Sequence, residues 1–167
     1  MIHSPTVKLS AKATADLGVV DGLVQLSFSI QAIVGSVTAH HDLSIIQTRL
    51  LGALRDRKLS MAQIARLISL DKSSTTGLVD RAEKRGYVER SIAPHDGRSV
   101  LVTLTTSGRR VVDRVATEVA REINAVIEDL SDVDRRRLSQ LASRFVHLDA
   151  EARGIDLTAG QTTQRRN

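Results

Sequence analysis

From Asp16 to about Ala39 the apolar residues Leu17, Val20, Val24, Leu26, Ile30, Ile33, Val34 and Val37 recur at three- and four-residue spacing. That period predicts a long helix with an apolar stripe. The many β-branched residues would suit a strand locally, but the length of the pattern decides for helix. His40-His41-Asp42 interrupt it. Ser44-Ile45-Ile46-Gln47 then reads as a capping box that opens a helix through Leu50, Leu51 and Leu54 to about Arg57. A second box, Ser60-Met61-Ala62-Gln63, opens a short helix carrying Ile64, Ala65, Leu67 and Ile68. Leu70 closes the turn, and Asp71 is an N-cap for a helix from Lys72 to about Arg85, which Gly86 ends. Two β-branched runs follow, Tyr87–Ile92 and Ser99–Leu104, separated by the turn-forming Ala93-Pro94-His95-Asp96-Gly97-Arg98. Thr105 or Thr106 caps a long helix to about Asp129 with the stripe Val111, Val112, Val115, Val119, Ile123, Val126 and Ile127. Ser131 starts another, with Leu138, Leu141, Phe145 and Leu148 expected to face inward.

Helix, turn, helix and a two-stranded hairpin with a basic tip make a winged helix-turn-helix. The predicted fold is mainly α with a small β-hairpin, flanked by N- and C-terminal helices. The helix after Asp71 has a telling polarity. Its first turns, Lys72-Ser73-Ser74-Thr75-Thr76, are short, hydroxylated and basic, and its apolar residues Leu78, Val79 and Ala82 come later. A helix that enters a major groove needs small polar groups near its N-terminus, where backbone amides also face phosphates. A capped surface helix would look the same in isolation.

Charge adds to this picture by its location. The 167 residues carry a formal charge of +5. Between Arg55 and Arg110 twelve Lys/Arg face six Asp/Glu, whereas the rest of the chain has twelve against thirteen. The excess of +6 thus lies on the winged segment, and a polyanion is the natural partner. A solvated basic face is the plainer explanation of the same count. Aromatics are limited to Phe28, Tyr87 and Phe145, so no base-stacking platform of the single-strand or RNA type is present. Without cysteine there are no disulfides and no thiol-ligated metal sites. No apolar run is expected to reach membrane-spanning length, and Met1–Ser10 lacks the order of a signal peptide, so a cytoplasmic protein is expected. Glycine-rich phosphate loops, metal-spaced histidines and nucleophile elbows are missing, and His95-Asp96 are mere loop neighbours. The chain is therefore read as a non-enzyme with no cofactor and no metal.

Several segments resemble the MarR-type transcription regulators over roughly Leu43 to Val112. They are Met61-Ala62-Gln63-Ile64-Ala65, the run Asp71–Arg81, Glu83–Arg90, Asp96-Gly97-Arg98 and Leu104-Thr105-Thr106-Ser107-Gly108. Ala82 departs from the pattern, where members usually carry a larger apolar residue. The resemblance implies a homodimer whose terminal helices interlock and whose two recognition helices read a pseudo-palindromic site of double-stranded DNA. It also implies that Asp96 orients Arg98 at the wing tip, with Arg98 in the minor groove. Ser73, Ser74, Thr75 and Thr76 are expected at base edges or adjacent phosphates, and Lys72 and Arg81 at phosphates. Family members often respond to a small aromatic acid or phenol, and His40, His41, Arg49 and Arg55 are the polar groups near the implied ligand site. For the histidine pair a polar helix end, a ligand contact and a metal site are all open. The expected organisation is a flexible arm (1–13), a dimerisation helix (14–42), the winged domain (43–104), further dimerisation helices (105–149) and a flexible tail (150–167). The function so implied is that of a repressor released by its effector. The alternative is a dimeric winged-helix interaction module without sequence-specific DNA binding.

Overall fold

The computed structural model describes residues 15–93 and 96–158, and the side chains of all of these except 93 and 96–98. The elements run α1 (Gly18–Ala39), α2 (Ile45–Ala53), β1 (Leu59–Ser60), α3 (Met61–Ile68), α4 (Lys72–Lys84), β2 (Val88–Ala93), β3 (Asp96–Leu104), α5 (Thr106–Val126) and α6 (Asp132–Ala152). The expected arm (1–13) and the last residues of the tail lie outside the described residues.

The helix starts follow from capping chemistry. Ser44 and Ser60 each accept from the amide three residues on, at 3.2 and 3.3 Å, while Gln47 and Gln63 accept from the cap amides at 2.9 and 2.8 Å. Such caps satisfy amides that the first turn leaves without partners. Thr105 caps α5 by accepting from Gly108 at 3.0 Å. At the other end of α4 the amides of Gly86 and Tyr87 donate to the carbonyls of Glu83 and Ala82 at 2.8 and 3.0 Å. This closure needs a left-handed residue, and Gly86 supplies φ +70°.

The three-stranded antiparallel sheet has the order β1-β3-β2. Leu59 pairs with Val102, and β2 pairs with β3 from Val88↔Leu104 to Ile92↔Val100, with a register slip before Ala93↔Asp96. Two features differ from expectation. Strand β1 escapes the sequence pattern because two residues carry no period. Asp96, Gly97 and Arg98 belong to the backbone of β3 rather than to a loop, since cross-strand pairing draws them into the hairpin.

The core centres on the winged lobe, with Val37 of α1 and Leu43 of the α1–α2 turn joining it. Leu50, Leu51, Leu54, Leu59, Ile64, Ile68, Leu78, Val79, Ala82, Val88, Val102, Val112 and Val115 are buried and form one cluster. Ala82, the small residue in the family-like run, is part of it. Helix α2 ends at Ala53 rather than near Arg57, because Leu54 already caps it while turning into this core.

The outer helices are different. In α1 only Val37 and Thr38 are buried, while Val20, Val24, Leu26 and Ile30 of the expected stripe are exposed. In α6 the residues expected to face inward, Leu138, Leu141, Phe145 and Leu148, are also exposed within the chain. An amphipathic period marks a face for burial without saying against which molecule. Helix α6 runs past the expected boundary at 149 to Ala152, and Gly154, at φ +61°, closes it.

Helix α1 also overturns the expectation that no segment approaches membrane-spanning length. By length and composition it is long and apolar enough to cross a bilayer. Two of its polar interruptions are softened, because Ser27 and Ser29 donate to the carbonyls of Val24 and Gln25 at 2.8 and 3.0 Å. A hydroxyl bonded back to its own helix adds little polarity to the surface.

Candidate DNA-binding surface

Helix α4 is held by its inner face. Thr75, Leu78, Val79 and Ala82 are buried, which fixes Lys72, Ser73, Ser74, Thr76, Asp80, Arg81 and Lys84 on the exposed side. Thr75 was expected at base edges with its neighbours. Its place on the core side removes it from the surface, and its hydroxyl donates to the Asp71 carbonyl at 2.7 Å.

The Asp71 carboxylate organises the first turn. It accepts from the hydroxyls of Ser73 and Ser74, both at 2.6 Å, and from the Ser74 amide at 2.8 Å. These bonds, the Ser73 hydroxyl foremost, hold its pKa far below the usual carboxylate range. Thr76 donates to the Lys72 carbonyl at 2.9 Å. The hydroxyl protons of Ser73, Ser74 and Thr76 are thus committed internally, and their oxygens are presented outward as acceptors. The Arg81 guanidinium lies over Gly77, where an added Cβ would come within 3.3 Å of Nη1. Sequence reasoning missed Gly77, although a glycine four residues before an arginine on a helix is the signal for such a seat.

The hairpin is fixed to α4 by a group the sequence reading also passed over. Arg90, on β2, donates to Asp80 Oδ1 at 2.5 Å and to Glu83 Oε2. Two acids three residues apart on the outer face of a helix in a basic segment are the trace it leaves in sequence. The junction with α5 is equally tight. The Thr105 amide donates to the Tyr87 carbonyl at 3.0 Å and its hydroxyl to the Gly86 carbonyl at 2.6 Å. A Cβ on Gly108 would lie 2.0 Å from the Tyr87 oxygen. Arg85 ties the end of α4 to the α1–α2 turn, donating to the Asp42 carbonyl at 2.6 Å and lying over the Tyr87 ring at 4.9 Å. The side chains of Asp96 and Arg98, expected to pair at the wing tip, lie outside the described residues; their backbone stands at the start of β3.

The four residues expected near a ligand do not converge. His40 lines a cavity of about 410 Å³ between α1 and α5, with Ala32, Ile33, Ser36, Val37, Glu118, Arg121 and Glu122. His41 Nε2 lies 3.1 Å from Glu118 Oε1. Arg55 pairs with Asp113 at 2.9 Å, and Arg49 is exposed on α2. Arg121 is engaged with Glu122 at 3.0 Å.

Comparison with known proteins follows the same outline. Residues 41–99 match the MarR family. The HTH-type transcriptional regulator YfiV of Bacillus subtilis is 39% identical over 71 residues, a match spanning 42% of this chain and 44% of YfiV. The HTH-type transcriptional regulator PecS of Dickeya dadantii is 27% identical over 75% of this chain and 78% of its own. Among solved structures, a mutant of Escherichia coli MarR complexed with operator DNA superposes with a TM-score of 0.61 at 22% identity, covering 74% of this chain and 89% of that one. NadR in complex with 4-hydroxyphenylacetate superposes at 0.66 and 22%, covering 81% and 97%. The winged helix-turn-helix, residues 41–99, thus matches the MarR family in sequence, and the helical frame around it has the fold of MarR structures.

Proposed function

We propose that this chain is a DNA-binding transcriptional regulator, a repressor that grips a pseudo-palindromic operator as a homodimer and lets go on binding a small phenolic or aromatic effector. The carrying observation is the outer face of α4: small acceptor groups over its first turns, flanked by Lys72 and Arg81, on a helix held rigidly by its opposite face. Ser73, Ser74 and Thr76 accept from base amino groups, which cytosine and adenine present in the major groove. Lys72 and Arg81 contact phosphates, and Arg98, set by Asp96, reaches the minor groove from the hairpin. The operator complex of a structural neighbour supports this assignment by analogy of fold.

The exposed apolar stripes of α1 and α6 are the dimer surface. A second copy would cover Leu23, Val24, Leu26 and Phe28 on one helix and Leu141 and Phe145 on the other. The α1–α5 cavity is the effector site. Its two carboxylates against a single arginine favour a phenol over an acid. A ligand there changes DNA affinity only if it prefers one spacing of the two recognition helices.

Selection of genomic duplex fragments on the purified protein, followed by salt titration of the bound ones, tests the reading. Log affinity should fall linearly with log salt, and Lys72→Ala or Arg81→Ala should flatten the slope by roughly one unit each. Arg98→Ala should weaken binding while sedimentation still shows a dimer. Phenol, added to the complex, should release the duplex more readily than benzoate does. Indifference to every fragment at low ionic strength would overturn the assignment.

A further inference from the structure

The geometry points to Arg90 as a positioning residue, which clamps the wing strand β2 to the outer flank of α4 through Asp80 and Glu83 and so sets base discrimination rather than raw DNA affinity; this rests on the DNA-binding reading above. In the sequence Arg90 is one more positive charge of a basic segment. In the fold it is spoken for. One terminal nitrogen donates to Glu83 and the other to Asp80, and the side chain is 27% exposed. The three groups together carry −1, so Arg90 brings no spare charge to a phosphate.

Its placement explains what it does instead. Among the described residues strand β2 is an edge strand, hydrogen-bonded to β3 alone. It leaves α4 through the turn Arg85-Gly86-Tyr87, whose bonds to Glu83, Ala82 and Thr105 hold the base of the strand but do not reach its further half. Arg90 bridges the turn, reaching back seven residues to Glu83 and ten to Asp80. Charge-assisted bonds from the two arms of one planar guanidinium resist rotation as well as separation. From Arg90 to the end of β2 the strand runs on for about 10 Å. A tilt of about 15° about that point would displace the end of β2 by about 3 Å, the length of a hydrogen bond. Phosphate contacts tolerate such play; simultaneous reading by helix and wing does not.

The two acids give the inference an unusual test, because removing them adds positive charge. Asp80→Asn with Glu83→Gln raises the net charge by two. If Arg90 and the acids acted only through charge, this double variant would bind every duplex more tightly. If they form a clamp, it should lose about tenfold in its preference for the genomic duplex recovered by the wild-type chain over a scrambled duplex. Its affinity for the scrambled duplex should hold or rise. Arg90→Gln should lose the same preference and also bind the scrambled duplex more weakly. Arg90→Lys, whose point charge cannot fork between two carboxylates, should recover scrambled-duplex affinity but not the preference. Fluorescence anisotropy at fixed salt on both duplexes reads all three variants, with thermal melting alongside. The clamp is overturned if the double variant keeps its preference, or if both affinities fall in parallel with a lowered melting point. A wild-type chain with no preference for any fragment overturns the DNA-binding reading itself, and the clamp with it.

Discussion

The winged lobe and the outer helices are built from the same residue types, yet they stand in opposite states. In the lobe, Leu50, Ile64 and Val79 are fully buried at one another's expense of solvent. In α1 and α6, Val20, Phe28, Leu141 and Phe145 are more than half exposed. Each apolar side chain taken from water contributes about 1.5–3 kcal/mol, so the lobe is finished within one chain and the outer helices leave a comparable gain unclaimed. The difference teaches that one amphipathic pattern can close a core within the chain or leave an apolar face exposed on it.

The sharpest way to break this contrast is at the joint between the two regions. Gly108→Ala should destabilise the lobe by about 3 kcal/mol or more, because the new methyl meets the Tyr87 carbonyl rather than a movable side chain. Chemical denaturation checks this, and a loss below 1 kcal/mol would show the α5 junction to be soft. Next in size, Leu50→Ala should cost about 2–5 kcal/mol. The same measurement on Leu141→Ala, in chains kept dilute, should give no more than about 0.5 kcal/mol. Equal losses would mean that α6 is buried in the single chain after all.

The pair Leu141→Asp with Phe145→Asp should leave the melting of the lobe in place while halving the mass in analytical ultracentrifugation. An unchanged mass would overturn the proposed dimer surface on α6. If α1 instead sought a bilayer, the wild-type chain would float with neutral lipid vesicles, and the dimer surface would be reassigned. Smallest is the effect of acid on the α4 cap. Asp71 has a depressed pKa in the fold, so its stabilisation is present above the ordinary carboxylate range and is lost only as pH falls through the depressed value. The Ser74 amide should stay protected from hydrogen exchange at about pH 3, where unperturbed carboxylates are already mostly protonated. Loss of protection near pH 4 would show that the two serine hydroxyls do not hold that charge.

Local chemistry explains how much could be read in advance. The starts of α2, α3, α4 and α5 are written in Ser44, Ser60, Asp71 and Thr105, since a cap acts on amides two or three residues away. Gly86 marks the end of α4 for the same reason. The outer face of α4 was partly visible: Lys72, Ser73, Ser74, Thr76 and Arg81 are exposed, and Thr75 is buried. A run of five polar residues does not reveal which one turns inward until Leu78, Val79 and Ala82 define the buried side. The roles of Arg90 and Gly108 were not read because they lie in contacts between elements, with Asp80 and Glu83 in one case and with the Tyr87 carbonyl in the other.

Sequence alone was therefore enough for the order of the elements, their caps, the winged architecture and the concentration of positive charge around it. These depend on spacing along the chain and on interactions a few residues long. Packing had to settle which apolar stripes are satisfied at home, that Asp96-Gly97-Arg98 join a strand, and that Arg90 is bound to acids rather than free for phosphate. Those outcomes depend on distances between residues far apart in the chain, and periodicity carries no record of them.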